Sequence, residues 1–126
     1  MKTNPLKDKS FFFAVQIVNT TREIQKRKKE FILSNQLMRS GTAIGALYRE
    51  AEQAESRADF IHKLAIAQKE CNESLYWLEL LEQTNFLEKD QYEKLEPLCR
   101  ELIRLLTSII RSTKQSIRRA SAKHLT

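Results

Sequence analysis

The chain has 126 residues, 41% of them apolar and 30% charged, with only 2 Gly and 2 Pro; that length fits one domain with one core, and that composition argues against a turn-rich β-sandwich or barrel. Lys and Arg number 22 against 16 Asp and Glu, a net charge of +6, and 2 Cys with 2 His leave little material for a disulfide framework or a metal site. The charge is segregated along the chain: ten bases and three acids up to Arg49 give +7, six and thirteen from Glu50 to Glu101 give −7, and six bases with no acid from Leu102 onward give +6. Segregated basic surface is the footprint of a polyanion partner, although basic surface also serves solubility alone.

Four helical segments are predicted within a single domain spanning residues 1–126. The first opens at Asn4-Pro5, a capping residue followed by proline at the first helical position. Phe13, Ile17, Thr20 and Ile24 step by 4, 3 and 4, with Phe11, Ala14 and Val18 widening the stripe. It is predicted over about 5–26, and the polar run Lys26-Arg27-Lys28-Lys29-Glu30 forms the first connection. The second helix, about 33–55, has a heptad seam of Leu33, Leu37, Ser40, Ile44, Leu47, Ala51 and Ala54. Three of those seven positions are small, and both glycines, Gly41 and Gly45, lie beside them. Glycine inside a helix costs about 1 kcal/mol relative to Ala, so the pair marks either a close backbone approach or a kink.

Ser56-Arg57-Ala58-Asp59 reads as a tight turn with Asp59 near the cap of the third helix, about 59–84. Its core face is Phe60, Leu64, Ala67, Cys71, Leu75, Leu78 and Leu81, and Asn85 is a candidate left-handed cap at its end. The fourth helix, about 90–119, carries Leu95, Leu98, Leu102, Leu105, Leu106, Ile109 and Ile110, and either starts or bends at Pro97. A basic tail, 120–126, follows. Short connections between long helices force an antiparallel up-down-up-down four-helix bundle, an all-α fold. In that topology the basic C-terminal segment shares an end with Lys2, Lys7 and Lys9, and Lys26 to Lys29 occupy the other.

The run Phe11 to Val18 imitates a signal-peptide core, but it holds Gln16 and is followed by Asn19-Thr20-Thr21-Arg22 rather than small residues. No stretch approaches the roughly 18 apolar residues of a membrane span. Cys71 and Cys99 read as small buried apolar residues of a reducing compartment, so a cytoplasmic location is expected.

Two longer segments, Gln36 to Ala51 (QLMRSGTAIGALYREA) and Asp59 to Leu81 (DFIHKLAIAQKECNESLYWLELL), resemble the four-helix-bundle proteins first met as 23S rRNA intervening-sequence proteins. Phe11 to Ile24 and Leu102 to Lys114 fit the flanking helices of that family, so the resemblance spans nearly the whole chain. It implies a ring-like homopentamer of four-helix protomers with no established enzymatic activity. A group of similar fold serves diversity-generating retroelements as an accessory protein that binds nucleic acid and a reverse transcriptase, which makes a reverse transcriptase a candidate partner. Family members usually carry Ser at Ala43 and Asn at Leu47; because Leu47 lies on the seam, packing replaces a polar contact there.

The polar residues of the matched segments include Gln36, Arg39, Glu50, Lys69, Glu70, Glu73 and Trp77. Arg39 and Glu50 are three turns apart on one helix, Glu70 and Glu73 are i, i+3 neighbours, and Trp77 continues their side. They make either a contact between protomers or a network fixing helix register within one. Catalysis is not indicated, since no nucleophile, His partner or glycine-rich loop stands nearby. A di-iron bundle wants Glu-x-x-His motifs, and the chain has none; neither metal nor cofactor is expected.

Arg111, Lys114, Arg118 and Arg119, with Lys123 beyond them, lie mostly on one helix side, and Lys26, Arg27, Lys28 and Lys29 form a second cluster. Such residues hold phosphates with steep salt dependence and little sequence preference, and no groove-reading or base-stacking motif accompanies them. The sequence thus predicts a nonenzymatic accessory scaffold that binds RNA or DNA, with each patch multiplied by oligomerisation. The competing reading is a protein-interaction or structural oligomer without nucleic acid.

Overall fold

The computed structural model describes residues 4–125, except for the side chains of 124 and 125; Lys2 lies outside the described residues. Four helices, α1 (Pro5–Lys28), α2 (Ile32–Glu52), α3 (Arg57–Gln83) and α4 (Lys89–Leu125), follow one another with short connections. They pack in chain order as an up-down bundle, α1 on α2, α2 on α3 and α3 on α4, and α4 closes back on α1 through the thinnest interface.

The helix ends follow local chemistry. The Asn4 side chain accepts from the Lys7 amide at 3.2 Å and donates to the Tyr48 hydroxyl at 2.8 Å, tying the α1 cap to α2. Asn85, at φ 66°, ends α3 in a Schellman arrangement: the Phe86 amide donates to the Leu81 carbonyl at 2.9 Å and the Asn85 amide to that of Glu82 at 3.1 Å. The α2–α3 turn differs from its predicted form. Ser56, rather than Asp59, is the cap of α3, its hydroxyl accepting from the Asp59 amide at 3.0 Å. The Asp59 carboxylate reaches back to accept from the amide of Glu55, one residue before the cap, at 3.3 Å. Consequently α2 ends at Glu52 and α3 begins at Arg57.

Pro97 neither starts nor ends α4, which already runs from Lys89. Pro97 is exposed, so water can serve the carbonyl that its missing N–H leaves without a partner. Nor do residues 120–125 of the predicted tail 120–126 leave the helix, which continues through Leu125; residue 126 lies outside the described residues. With no Gly or Pro after Pro97, and with Arg, Lys and Ala frequent there, nothing in 111–125 stops it.

The core joins Phe13, Ile17, Leu37, Ile44, Leu64, Leu78, Leu102 and Leu106 from all four helices, each essentially inaccessible. Fully burying a side chain of this size contributes about 1.5–3 kcal/mol. Cys71 and Cys99 are buried and unbridged, and the Cys99 thiol donates to the Cys71 carbonyl at 3.3 Å. That neighbouring thiol, with burial, pushes the Cys71 thiol far above its usual range. Phe11 does not widen the core stripe: only Phe13 of the three successive phenylalanines is buried, and Phe11 and Phe12 are 58% and 51% exposed. A helix advances about 100° per residue, so a run of three cannot face one core.

Candidate nucleic-acid interface

At 37 residues α4 is ten longer than α3, about 15 Å of additional length. The Arg57 guanidinium, at the start of α3, donates to the Ser116 hydroxyl of α4 at 3.0 Å. Beyond Ser116, Ile117 is half-buried and residues 118–123 are exposed, so the end of α4 projects past the start of its neighbour. The negative end of a helix dipole favours the cations gathered there.

Three of the sequence-predicted bases converge. Arg111, Lys114 and Arg118, with Gln68, Thr107, Ile110 and Gln115, line a groove of about 420 Å³ between α3 and α4. Gln68 donates to the Thr107 hydroxyl at 2.7 Å and pins the groove across the two helices. None of the lining residues is acidic, and none of the three bases forms an ion pair among the described residues. Arg119 and Lys123 are exposed beside this track without lining the groove.

Lys26, Arg27, Lys28 and Lys29 are exposed at the opposite end, where Lys29 turns the chain at φ 55°; Arg27 pairs with Glu23. Two features here escape a sequence reading. Phe31 and Ile32, directly after the cluster, are 50% and 78% exposed; their place at the mouth of α2, before its seam begins, is the only sequence signal. A recess of about 360 Å³ also opens between the end of α1 and the α3–α4 connection, built by residues 19–28 on one side and 86–91 on the other.

Arg39, Glu70, Glu73 and Trp77 meet on the α2–α3 face within one protomer. Arg39 donates to Glu70 at 3.0 Å and to Glu73, and Trp77 Nε1 donates to Glu73 at 3.2 Å. The hydrogen bond from Arg39, then that from Trp77, holds the Glu73 carboxyl below its usual range, and Glu73 in turn raises Arg39. Near them the buried Ser74 and Ser40 hydroxyls join at 2.8 Å. Glu50 instead faces Lys63 at 3.8 Å, and Gln36 is exposed outside the network. Among the described residues no group of His, Cys, Asp and Glu can hold a metal ion, and no helix is long and apolar enough to cross a membrane.

Residues 2–108 match the model of a family described as 23S rRNA-intervening sequence protein. A crystal structure of a protein of unknown function from the S23 ribosomal protein family, from Bacteroides thetaiotaomicron, is 55% identical to this chain. It covers 83% of this chain and 97% of its own length, with a TM-score of 0.82. No curated protein matches.

Proposed function

The chain belongs to the 23S rRNA-intervening sequence protein family, and from that premise we propose that it is a nonenzymatic, cytoplasmic, nucleic-acid-binding accessory protein acting as an oligomeric scaffold. One observation carries the reading: a concave groove lined by Arg111, Lys114 and Arg118 and by no acid. Three unpaired cations spaced along one helix side match a row of phosphates, and neutralising phosphates releases counterions. Binding of this kind is sequence-tolerant, so RNA or DNA is the partner class, and a reverse transcriptase is the candidate protein to be positioned. The family match ends at residue 108, before Arg111, so the groove itself and not family membership supports the polyanion assignment.

A second reading, a protein-interaction oligomer without nucleic acid, is favoured by the exposed Phe11, Phe12 and Val15 on α1. The two readings differ in one measurement. Fluorescence anisotropy of labelled single-stranded RNA, duplex RNA and duplex DNA is expected to show binding that weakens steeply between about 50 and 200 mM salt. Replacing Arg111, Lys114, Arg118 and Arg119 by Gln is expected to leave assembly intact and to abolish most of that binding. Unchanged affinity in this variant overturns the groove assignment, and no binding at the lower salt favours the protein-interaction reading.

A further inference from the structure

The recess at the Lys26–Lys29 end has a chemistry different from that of the groove. Its apolar surface is Ile24 and Leu87, both buried, with the half-buried ring of Phe86. Its wall is pinned across α1 and α4, where Gln91 donates to the Thr20 hydroxyl at 3.0 Å, and Asp90 accepts from the Gln91 amide at 2.9 Å. Two cations and three carboxylates border it. Glu23 is taken by Arg27, which leaves Lys28, Glu88 and Asp90 without ion pairs among the described residues.

This combination selects its occupant. A bare phosphate would meet Lys28 but be repelled by Glu88 and Asp90. A metal ion has no adequate ligand group among the described residues. A flat ring with an apolar face, an N–H edge and an attached anion satisfies all three parts of the wall. Adenine, cytosine and guanine carry exocyclic amines that donate to a carboxylate, whereas uracil and thymine offer only a ring N–H between two carbonyl oxygens, whose partial negative charges repel the carboxylate. The volume lies at the lower end of the range for small-ligand pockets.

We propose that this recess is a subsite for one unstacked nucleobase bearing an exocyclic amine, its phosphate held by Lys28. The proposal rests on the nucleic-acid reading above and narrows it to single-stranded ligands, because a base inside a duplex is stacked and cannot enter.

The test is a titration of the full, isotope-labelled chain with cytidine, adenosine and uridine monophosphates and with ribose 5-phosphate, followed by amide NMR shifts. Cytidine and adenosine monophosphates are expected to move the amides of Ile24, Lys28, Leu87 and Gln91 at millimolar concentration. Uridine monophosphate is expected to bind about tenfold more weakly, the loss of one hydrogen bond to a charged group. Asp90→Asn with Glu88→Gln is expected to erase that difference. Equal shifts from uridine monophosphate and ribose 5-phosphate reduce the site to an anion contact and overturn the proposal. Polymer binding without any nucleotide shift at the recess overturns the subsite while leaving the groove reading standing. Amine-selective nucleotide shifts without polymer binding support the subsite and overturn the scaffold reading instead.

Discussion

Ile17 is wholly buried on α1, and Gly41 of α2 sits against it so closely that an added Cβ would lie 2.9 Å from both Ile17 Cγ1 and Cγ2. The β-branched Ile17 has few rotamers to move into, and its packed surroundings give little room. Two effects oppose each other in Gly41→Ala. Helix propensity gains about 1 kcal/mol, and overpacking costs about 1–3 kcal/mol. With two contacts below 3 Å on an immovable side chain, overpacking is expected to win, lowering the denaturant midpoint without changing the slope. Ile17→Val in the same background is expected to recover part of the loss; a raised midpoint in Gly41→Ala alone would sink this account. Gly45 differs in degree, its nearest neighbour being the Ser10 hydroxyl at 3.3 Å. The two glycines four apart were legible in the sequence as approach or kink. The structure answers approach, because α2 runs unbroken from Ile32 to Glu52, but only tertiary packing identifies Ile17 and Ser10 as what lies opposite.

A helix leaves its first four amides without intrahelical partners, and α2 solves this in an unusual way. Its cap residue, Phe31, offers no side-chain acceptor. The Glu30 carboxylate, one position earlier, accepts from the amides of Ile32, Leu33 and Ser34 at 3.0, 3.0 and 2.8 Å. It also places negative charge at the positive end of the helix dipole. Glu30→Ala is therefore expected to destabilise the fold by about 0.5–2 kcal/mol, the usual cost of losing a cap. Hydrogen exchange should quicken first at the amides of residues 32–34, and unchanged protection there would refute the capping role. The caps that were readable at Asn4-Pro5 and Asn85 use standard positions, whereas Glu30 acts from outside the cap position and hides in a run of charges. The role of Ser56 as the α3 cap is hidden for a similar reason. Ala54 prolongs the seam periodicity of α2, and the choice between Ser56 and Asp59 depends on which side chain reaches which amide. Periodicity finds helices; it does not find where they stop.

On the scale of the molecule, the alternation of charge along the chain becomes a separation in space. Basic residues gather at two opposite ends, and the acids of α2 and α3 are largely spent on neighbouring helices, as Arg39 with Glu70 and Glu73 and Lys63 with Glu50 illustrate. The groove residues were legible because three bases at helical spacing share a side whatever the tertiary fold. The recess was not, because Asn19, Ile24 and Lys28 meet Phe86, Asp90 and Gln91 only once the bundle closes α4 against α1.

What the single protomer leaves unexplained is an apolar strip on α1, where Phe11, Phe12 and Val15 are 58%, 51% and 39% exposed. The Arg49 guanidinium stands 5.5 Å from the centroid of the Phe11 ring, which shields one ring through a cation–π contact and leaves Phe12 uncovered. Large apolar groups clustered on one helix face are the mark of an association surface, and the oligomeric scaffold we propose supplies an occupant in further copies of the chain. Phe12→Lys separates this from a packing role. In the protomer Phe12 is half-exposed, so the substitution is expected to change unfolding stability by no more than about 0.5 kcal/mol. At the centre of an interface, losing an aromatic anchor and burying a charge costs about 2 kcal/mol or more at each copy of the contact. Light scattering on a sizing column is expected to give the wild type several times the 14.8 kDa of one chain and the variant a single chain, with the helical spectrum unchanged. A monomeric wild type, or a variant of unaltered mass, removes the α1 strip as the contact. Dissociation should also carry a second signature. Polymer affinity should fall far more than the loss of one side chain explains, because the basic grooves no longer act together. Mononucleotide binding at the recess, which needs only one protomer, should stay as it was.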